Sequence, residues 1–554
     1  MSARHHAINP LTPPNATDDD SGPGPEPAER QDPDVPEPPS EAAKGTEIEL
    51  KLLVDAADMA AFQSAPVIEE NARTRGIRRR LRAIYYDTPD ARLRRAGLTL
   101  RVRQSGARFI QTIKSAIDDD PLRRGEWEAT VPSMTPDIAL AVPFLPARLG
   151  ARLLDDPPSP IFSTDIRRLI RTVALPAGRV EVSFDTGTIS AAGETIPVSE
   201  IELELKEGSA QALYGLGLRL LEHGPARPSV RSKSDRGFDL ADGTPPAAPK
   251  PGRPTMPAGV ALDEALRIIL GAVLRHLFDA LPAAWDGGSP EGVHQMRVAL
   301  RRLRSLFGLM RDVSESVSLE SFRAEASRLA DGLGNARDTD VFITETLASV
   351  EAALPGLHGF DALRAAAAAR RETLYADVRL LLADQRTSRF LLELGAWIEQ
   401  RGWRGDASPA ALAVLADPAA KFAARTLSGL SAKVAKRGRH FKSMKPEARH
   451  QLRIAVKKLR YATDFLAPVF GDEKRLRRYY GVLAELQDQL GRFNDMATTA
   501  RIVGGFEDDA AGRSQAAGAV IGWQAQGLTT AEPKLIDAWR DFRRATPPWK
   551  GAED

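Results

Sequence analysis

The segment 46–52, of sequence TEIELKL, places a charged side chain on every second residue with aliphatic residues between them. In a β-strand alternate side chains share a face, so Glu47, Glu49 and Lys51 would line one side. Neighbouring carboxylates repel each other unless a cation lies between them, and a lysine beside them suits an anion carried by that cation. The segment therefore predicts either a site for a cation-bound anion or an amphipathic strand with its polar face in water.

Several later segments repeat this alternation of charged and apolar residues, namely 98–104, 107–115, 124–128, 166–174, 178–185 and 199–206. One charged face can lie in water, but six or more would leave an ordinary sandwich without an interior. If the sheet closes into a barrel, these faces point inward. Unpaired buried charges are costly, so such a lumen must hold ions or a charged ligand.

A metal-bound triphosphate fits a lumen that contains acids and bases in similar numbers. Arginines donate forked hydrogen bonds to phosphate oxygens and lysines act as point charges, whereas carboxylates suit Mg²⁺ or Mn²⁺. The candidate phosphate ligands are Lys51, Arg101, Arg103, Lys114, Arg168, Arg171, Lys206 and Lys233, with Arg168 and Arg171 as alternatives. The candidate metal ligands are Glu47, Glu49, Glu200, Glu202 and Glu204.

Such a site predicts in-line attack of a metal-polarised water on the terminal phosphorus, without a dedicated protein nucleophile. Glu126 and Asp185 are the candidate catalytic side chains that would orient this water. Three acids stand where two would suffice, and among Glu200, Glu202 and Glu204 we favour the last two as metal ligands.

These residues resemble the CYTH superfamily of triphosphate tunnel metalloenzymes. The resemblance rests on motifs that span most of the first folded region: Glu47-Ile-Glu49-Leu-Lys51, Tyr85-Tyr86-Asp87-Thr88, Leu98 to Arg103, Lys114, Arg124-Gly-Glu126-Trp-Glu128, Glu200 to Glu204, and Ser232 to Gly237. It implies an eight-stranded antiparallel tunnel that binds a triphosphate with divalent metals and cleaves it. It also implies that Arg101, Arg103, Lys114 and Lys233 bind phosphate while Glu47, Glu49 and the late Glu-x-Glu bind metal.

Composition divides the 554 residues into several parts. Residues 1–44 are Pro-rich, carry 3 Lys or Arg against 9 Asp or Glu, and predict a disordered acidic tail. The strands and two helices predict a tunnel domain over 45–243, followed by a Pro-rich linker over 244–258. Long segments of helical periodicity predict an all-α bundle over 259–548.

The predicted strands are 46–54, 81–87, 97–104, 107–115, 124–131, 166–174, 178–185 and 199–206, with helices near 55–65 and 209–223. The predicted helices of the second domain are 261–281, 294–312, 317–334, 338–352, 361–384, 387–402, 409–436, 447–468 and 473–491.

An internal duplication marks the helical region, because the segment from His294 to Arg304 recurs from His450 to Arg460. Offsets of 0, 3, 7 and 10 lie along one helix stripe, so each copy presents a row of cationic or titratable side chains. The first row is His294, Arg297, Arg301 and Arg304, and the second is His450, Arg453, Lys457 and Arg460. Without interleaved acids these side chains repel one another, which an anionic partner would relieve.

The duplicated motifs resemble the CHAD domain, a conserved-histidine α-helical domain often found behind CYTH domains. The resemblance implies two helical bundles related by a pseudo-twofold axis, whose basic faces bind inorganic polyphosphate. Residues 421–480 carry 17 Lys or Arg against 4 Asp or Glu, which adds to that surface. Sequence-specific nucleic-acid binding is less attractive, because no recognised reader module is present.

The chain is thus expected to hydrolyse inorganic tripolyphosphate in the tunnel and to bind long-chain polyphosphate on the bundle. Alternatives are a polyphosphate-binding or granule protein without turnover, and a nucleoside triphosphatase or cyclase. The chain contains no Cys and no run of eighteen apolar residues, so we expect a cytoplasmic protein, associated with polyphosphate granules, that does not bind membranes. Oligomeric state is left open.

Overall fold

The computed structural model describes residues 45–116, 122–314, 316–405, 407–471, 473–505 and 511–549. The predicted acidic tail, residues 1–44, lies outside the described residues. Within them, strands occupy the first part of the chain and helices the second, as the sequence predicts.

Nine antiparallel strands form one sheet in the order β5-β4-β3-β2-β6-β7-β8-β1-β9. The strands are β1 Gly45–Val54, β2 Ile77–Asp87, β3 Leu98–Ser105, β4 Arg108–Ala116, β5 Arg123–Val131, β6 Ser159–Leu175, β7 Gly178–Ala191, β8 Glu194–Gly208 and β9 Ala226–Ser229. The first half of β1 also pairs with β5, from Gly45 opposite Glu126 to Ile48 opposite Arg123, which closes the sheet. The antiparallel tunnel is therefore confirmed. Strand β9 pairs with Lys51 to Val54 of β1, beyond the residues that pair with β5.

Seven helices accompany the strands: α1 Met59–Gln63, α2 Pro66–Glu69, α3 Arg92–Arg95, α4 Ile138–Ala141, α5 Ala147–Asp155, α6 Gln211–Leu220 and α7 Lys233–Asp242. Helix α6 covers the outer face of β1, β7 and β8, where Leu50, Val182 and Leu203 are fully buried. Helix α7 packs on β6 and β7 and inserts Phe238 edge-on against Phe162, with ring centroids 5.1 Å apart. These contacts fix the tunnel wall from outside and hold Lys233 at the start of α7.

The remaining helices are α8 Leu262–Asp286, α9 Pro290–Met310, α10 Val317–Gly332, α11 Gly334–Val341, α12 Ala348–Ala353, α13 Phe360–Ala383, α14 Gln385–Glu399, α15 Pro409–Ala416, α16 Ala419–Arg437, α17 Pro446–Leu466, α18 Glu473–Gly504 and α19 Ala511–Arg544. A π-helical turn over Phe342–Leu347 joins α11 to α12. The sequence predicted one helix over 409–436, but Pro418 separates α15 from α16, because its ring and missing N–H prevent a continuous helix. The sequence also missed β9, α19 and four helices of the tunnel domain, namely α3, α4, α5 and α7.

Helix α8 is the one helix in the described ranges that is long and apolar enough to cross a membrane by length and composition. The most apolar 18-residue window has a mean hydropathy of 1.4, and 61% of that window is buried within the protein. Its apolar side chains, among them Leu266, Ile269 and Leu277, belong to the core of the helical domain. A buried core helix of this length is expected to be equally apolar.

The two copies of the internal repeat meet in a reciprocal backbone contact. The N–H of Leu262 donates to the carbonyl of Asp417 at 2.9 Å, and the N–H of Ala419 donates to the carbonyl of Val260 at 2.8 Å. Each of these positions is related to its counterpart by the same offset of 157 residues, and the pair Ala261 and Pro418 forms an antiparallel bridge between them. Equivalent residues pair with each other only at a twofold axis, so the pseudo-twofold relation of the two halves passes through this bridge.

The tunnel and the helical domain share apolar packing through α6 and α14. Leu392 of α14 is fully buried in the cluster that otherwise consists of tunnel residues. Gln385 donates to the carbonyls of Leu221 and Gly224 at 2.6 and 2.9 Å, beyond the end of α6. Gly395 leaves room for the ring of Tyr214, which a Cβ at that position would overlap.

The predicted linker lies against the helical domain. Arg253 Nε is 3.6 Å from a carboxylate oxygen of Asp464 on α17, and its guanidinium lies over the ring of Tyr480 at 4.8 Å. Pro254 is buried, and Met256 packs on the helical core. The connection between the domains is thus part of the folded structure.

Candidate active site and basic helix faces

The alternation in the strand sequences places the charged side chains in the lumen. On β1, Glu49 and Lys51 are 9% and 3% exposed and face the interior, whereas Leu50 and Leu52 are fully buried on the outer side under α6. The same parity holds on β3, where Arg101 and Arg103 face the lumen and Leu100 does not. The charged interior predicted from the sequence is therefore present.

A cavity of 260 Å³ occupies the tunnel. It is lined by most of the predicted ligands, namely Glu47, Glu49, Lys51, Arg101, Arg103, Lys114, Glu126, Arg168, Glu202, Glu204, Lys206 and Lys233. Its wall also contains Tyr85, Thr99, Thr112, Glu128, Glu181, Ser183, Ser232 and Ser234, which sequence reasoning did not include in the site. Glu128 and Glu181 lie on predicted strands, an even number of residues from Glu126 and Asp185. Their orientation toward the lumen could therefore have been predicted.

Three predicted site residues do not line this cavity. Asp185 and Glu200 are fully buried in the wall behind it. Arg171 lies three residues from Arg168 on β6, and because side chains alternate along a strand an odd separation places it on the opposite, outer face. The alternative between these two arginines is thereby resolved in favour of Arg168, and Asp185 is too enclosed to orient a water in the cavity.

Lys233 holds a cluster of three carboxylates together. The carboxylates of Asp185, Glu200 and Glu202 offer oxygen atoms within 4.8 Å of one another, a spacing that a cation could bridge. Lys233 Nζ already lies 2.6 Å from Asp185 and 2.9 Å from Glu202, and it also pairs with Glu200. Burial opposes the charged form of Lys233, but the three carboxylates outweigh it and raise its pKa.

Arg168 and Arg236 complete this wall. Arg168 donates to both oxygens of Asp185 at 2.7 and 2.6 Å and also pairs with Glu202. Arg236, three residues after Lys233 and hence on the same face of α7, pairs with Glu200. Burial raises the pKa of Glu202, but Lys233 and Arg168 reverse that effect and hold the pKa well below its usual value. Its oxygens are therefore committed to protein cations.

Glu47, Glu49 and Glu204 also line the cavity and are candidate metal ligands. Each pairs with a lysine, since Lys114 contacts Glu47, Lys51 contacts Glu49, and Lys206 contacts Glu204 at 2.5 Å. Burial is the main cause that raises the pKa of Glu47 and of Glu204. Cations do not fully offset burial at Glu47 and Glu204, so these two carboxylates suit a divalent ion, whereas Glu202 is already paired with Lys233 and Arg168. The preference for the pair Glu202 and Glu204 stays a prediction.

The opposite side of the cavity has a surplus of positive charge. The nearby guanidinium of Arg101, together with burial, lowers the pKa of Arg103 to about 10. Nε of Arg101 and Nε of Arg103 are buried without a hydrogen-bond partner among the described residues. Glu126 lies 3.7 Å from Arg101 and 3.2 Å from Lys114, and its side chain is 25% exposed. Burial opposes the charge of Arg101 as well, but Tyr85 and Glu126 raise its pKa. The buried Nε donors of both arginines and the lowered pKa of Arg103 favour an anion at this place.

The basic rows of the helical domain lie on α9 and α17, which pack against each other. The side chains of both rows are partly exposed, and His450 is exposed. Arg301 Nε donates to the hydroxyl of Tyr461 at 3.3 Å, which links the row on α9 to α17. The structure therefore brings the two predicted rows to neighbouring helices.

The two histidines of the rows have different surroundings. Burial, followed by the charges of Arg337, Arg301 and Arg297, lowers the pKa of His294 to about 4. This histidine is therefore neutral at pH 7 and sits among three arginines. Arg297 donates to the carbonyl of Ala330, and burial together with Arg301 lowers its pKa. The acids Glu291, Asp331 and Asp338 act on His294 or Arg297 and partly offset the charge of the arginines.

Two family models match consecutive parts of the chain. A family model described as CYTH domain matches residues 45–238, and one described as CHAD domain matches residues 268–503. The chain therefore carries a CYTH domain followed by a CHAD domain.

Similar proteins include the inorganic triphosphatase of Haemophilus influenzae, 33% identical over 162 residues, which cover 28% of this chain and 44% of that protein. This chain thus spans less than half the length of that relative. An uncharacterised protein of Mycobacterium tuberculosis is 29% identical over 413 residues, 69% of this chain and 75% of that protein. A crystal structure of the CHAD domain from the plant Ricinus communis is 27% identical with a TM-score of 0.48, and covers 54% of this chain and 98% of that one.

Proposed function

We propose that the tunnel hydrolyses inorganic triphosphate to diphosphate and phosphate with a divalent cation, Mg²⁺ or Mn²⁺, and that the helical domain binds inorganic polyphosphate. One observation carries the first part: a single cavity has Glu47, Glu49 and Glu204 on one side and unfilled donors of Arg101 and Arg103 on the other. The similarity to an inorganic triphosphatase over 162 residues supports the same reaction.

In this proposal the arginines and lysines bind the phosphate chain. Arg101 and Arg103 donate to its oxygens through Nε and Nη atoms, and Lys114 adds a point charge beside them. Arg168 and Lys233 are held by Asp185 and Glu202, so they offer a rigid wall along which the chain is oriented. Accumulated positive charge stabilises the negative charge that develops on the transferred phosphoryl group.

Glu47, Glu49 and Glu204 would hold the divalent ion, which when bound neutralises phosphate charge and polarises the attacking water. Glu126 lines the cavity next to Lys114 and Arg101, where it can accept a hydrogen bond from that water and direct its oxygen in line with the leaving group. The water oxygen bonds to the terminal phosphorus, the bond from that phosphorus to the bridging oxygen breaks, and diphosphate leaves. Asp185 acts instead by positioning Arg168 and Lys233.

The polyphosphate part of the proposal rests on the neighbouring rows of α9 and α17. A polymer with one negative charge per phosphate can contact several cations at once, and the many weak contacts add to a strong, salt-dependent attraction. The rows contain His294, Arg297, Arg301 and Arg304, and His450, Arg453, Lys457 and Arg460. Cytoplasmic location and association with polyphosphate granules are part of the same proposal.

The test is phosphate release by the full chain with Mg²⁺ or Mn²⁺ across tripolyphosphate, ATP, thiamine triphosphate and long-chain polyphosphate. Tripolyphosphate is expected to have the highest kcat/KM, because the cavity wall is mainly polar and charged and offers few apolar groups to a base. Faster turnover of ATP would instead support a nucleoside triphosphatase. Binding of tripolyphosphate without turnover in either metal would support a binding protein and overturn the hydrolase.

A further inference from the structure

The two halves of the helical domain differ at one pair of equivalent positions. In the segment that contains α9 and α17 the offset between copies is 156 residues, so Arg302 corresponds to Lys458 and Asp464 corresponds to Gly308. Arg302 is 2% exposed and pairs with Asp464 at 3.0 Å across the interface of these helices. On the other side of the pseudo-twofold axis, Lys458 takes the place of Arg302 and is exposed, and Gly308 takes the place of Asp464.

The residues around this ion pair also differ between the two halves. In the half with the ion pair, four neighbouring positions carry no charge, namely His276, Ala280, Ala467 and Tyr480, and Arg253 of the linker also lies 3.6 Å from Asp464. In the other half the corresponding residues are all cationic, namely Lys433, Arg437, Arg311 and Arg323 in the same order; the offset is 156 for Ala467 and Arg311 and 157 for the other three pairs. The correspondence is supported by proximity, since the charge of Arg302 acts on His276 and the charge of Lys433 acts on Lys458.

The cationic half has space as well as charge. A Cβ placed on Gly308 would meet nothing within 4 Å, so the place of the missing carboxylate is open. Among the described residues Glu320 is the acid paired into this group, with Arg311 at 2.6 Å and Arg323 at 3.4 Å. One carboxylate against five cations leaves a strong positive surplus, and the surrounding cations lower the pKa of Lys458 in addition to burial.

We propose that Lys458, Lys433, Arg437, Arg311 and Arg323 form an anion site in which a phosphate or diphosphate group takes the place that Asp464 occupies beside Arg302. Lys457 and Lys458 are adjacent in α17 and point about 100° apart, so this site is separate from the basic row that contains Lys457. The inference does not depend on turnover in the tunnel. The chemistry it recognises is a compact group with two or more negative charges, which five converging donors can neutralise.

The sharpest test restores the missing carboxylate. Gly308→Asp should pair with Lys458 as Asp464 pairs with Arg302, and thereby displace the anion, whereas the matched Gly308→Asn adds similar volume without the charge. Equilibrium dialysis of the full chain with inorganic diphosphate should show one bound equivalent fewer for Gly308→Asp than for Gly308→Asn. Equal binding by the two variants would overturn the proposal.

A second test removes the cations without disturbing the core. The exposed pair Lys433→Ala and Lys458→Ala should lose the same equivalent, while Lys421→Ala with Lys474→Ala, which changes net charge equally at exposed positions, should keep it. Loss of the bound diphosphate from both double variants would mean that overall charge, and not this site, controls binding, and it would overturn the proposal.

Long-chain polyphosphate distinguishes the two sources of the anion. Loss of diphosphate binding with unchanged polymer retention assigns the site to a small free anion, and loss of polymer retention assigns it to a phosphate unit of the polymer. Either result supports the site. Unchanged binding of both probes in the Lys433 and Lys458 variant would exclude it, and the tripolyphosphate turnover of the same variant should equal that of the wild type.

Discussion

Glu49 and Glu202 both line the cavity but have different cationic partners. The carboxylate of Glu49 faces the lumen and pairs with Lys51, whereas Glu202 is fixed by Arg168 and Lys233. Residues that look equivalent in a Glu-x-Glu pattern are therefore not equivalent in the folded tunnel, because the number of cations around each one differs. Single substitutions can therefore distinguish a metal ligand from a residue that only holds the wall of the cavity in place.

Substitution Glu49→Gln should lower tripolyphosphate turnover by a factor on the order of 100 or more, because it removes a charged metal ligand. The measurement is kcat/KM with Mn²⁺ and the metal affinity from a titration of activity. The control is Glu207→Gln on β8, whose exposed carboxylate pairs with Arg179 outside the cavity. Wild-type turnover by Glu49→Gln would remove the metal assignment.

His276 makes the stability of the helical domain depend on pH. It is 3% exposed, and burial followed by the charge of Arg302 lowers its pKa to about 4. The unfolded chain binds a proton near the ordinary value of about 6.5, so the free energy of unfolding should fall as pH drops from there toward 4. Urea unfolding at pH 7.5 and 5 should show this loss, and His276→Gln should reduce the difference between the two pH values. An unchanged difference would contradict it.

The alternation of charged and apolar residues was sufficient to predict which residues face the tunnel interior. Glu47, Glu49, Arg101 and Arg103 were placed correctly because strand geometry fixes parity. The pattern could not reveal that Lys233 lies among three carboxylates, because that contact joins α7 to β7 and β8 and depends on tertiary packing. Arg168 and Arg171 stayed alternatives for a simpler reason, since the sequence did not fix which face of β6 is internal.

At the level of elements, α9 and α17 show how a repeat can retain its fold and change its chemistry. Both helices bury their apolar faces in one core, with Leu303 and Leu459 at equivalent positions. Their polar faces have diverged, as the exchange of Asp464 for Gly308 shows. The duplication was evident from the sequence, but this asymmetry became interpretable only when the helices were known to cross the pseudo-twofold axis.

Charge reversal on the row of α17 should weaken polymer retention and spare the tunnel. We expect Arg453→Glu with Lys457→Glu and Arg460→Glu to lower long-chain polyphosphate affinity by more than tenfold in low salt, with kcat/KM for tripolyphosphate unchanged. The measurement is a binding titration at two salt concentrations, because loss of phosphate contacts also reduces the salt dependence. Undiminished retention would contradict the role of this row.

Across the whole molecule, the boundary between the domains is an apolar interior rather than a hinge. Leu392 contributes to the core of the tunnel, and Gly395 permits the close approach of α14 to α6. The outer face of β1 lies under α6, and its inner face carries Glu49. The helical domain therefore supports the strand that holds the candidate metal ligands.

Substitution Gly395→Ala should destabilise the protein, since the new Cβ overlaps the Tyr214 ring in a closely packed interface. The expected loss is roughly 1–3 kcal/mol in the free energy of unfolding, measured by denaturant titration. Gly429→Ala in α16 is the control, because its Cβ would meet nothing within 4 Å and alanine favours a helix. Equal stability of both variants would show that the contact between α6 and α14 contributes little.

The packing of Leu392 against the tunnel domain also affects how much the molecule depends on the peptide connection between the domains. If side-chain packing holds the two parts together, a protease nick between Pro245 and Gly252 should leave fragments that co-elute and remain active. Separately expressed halves would then complement each other in trans. A domain exchanged from a relative would succeed only if it brought a small residue at position 395 to receive the aromatic ring of its new neighbour.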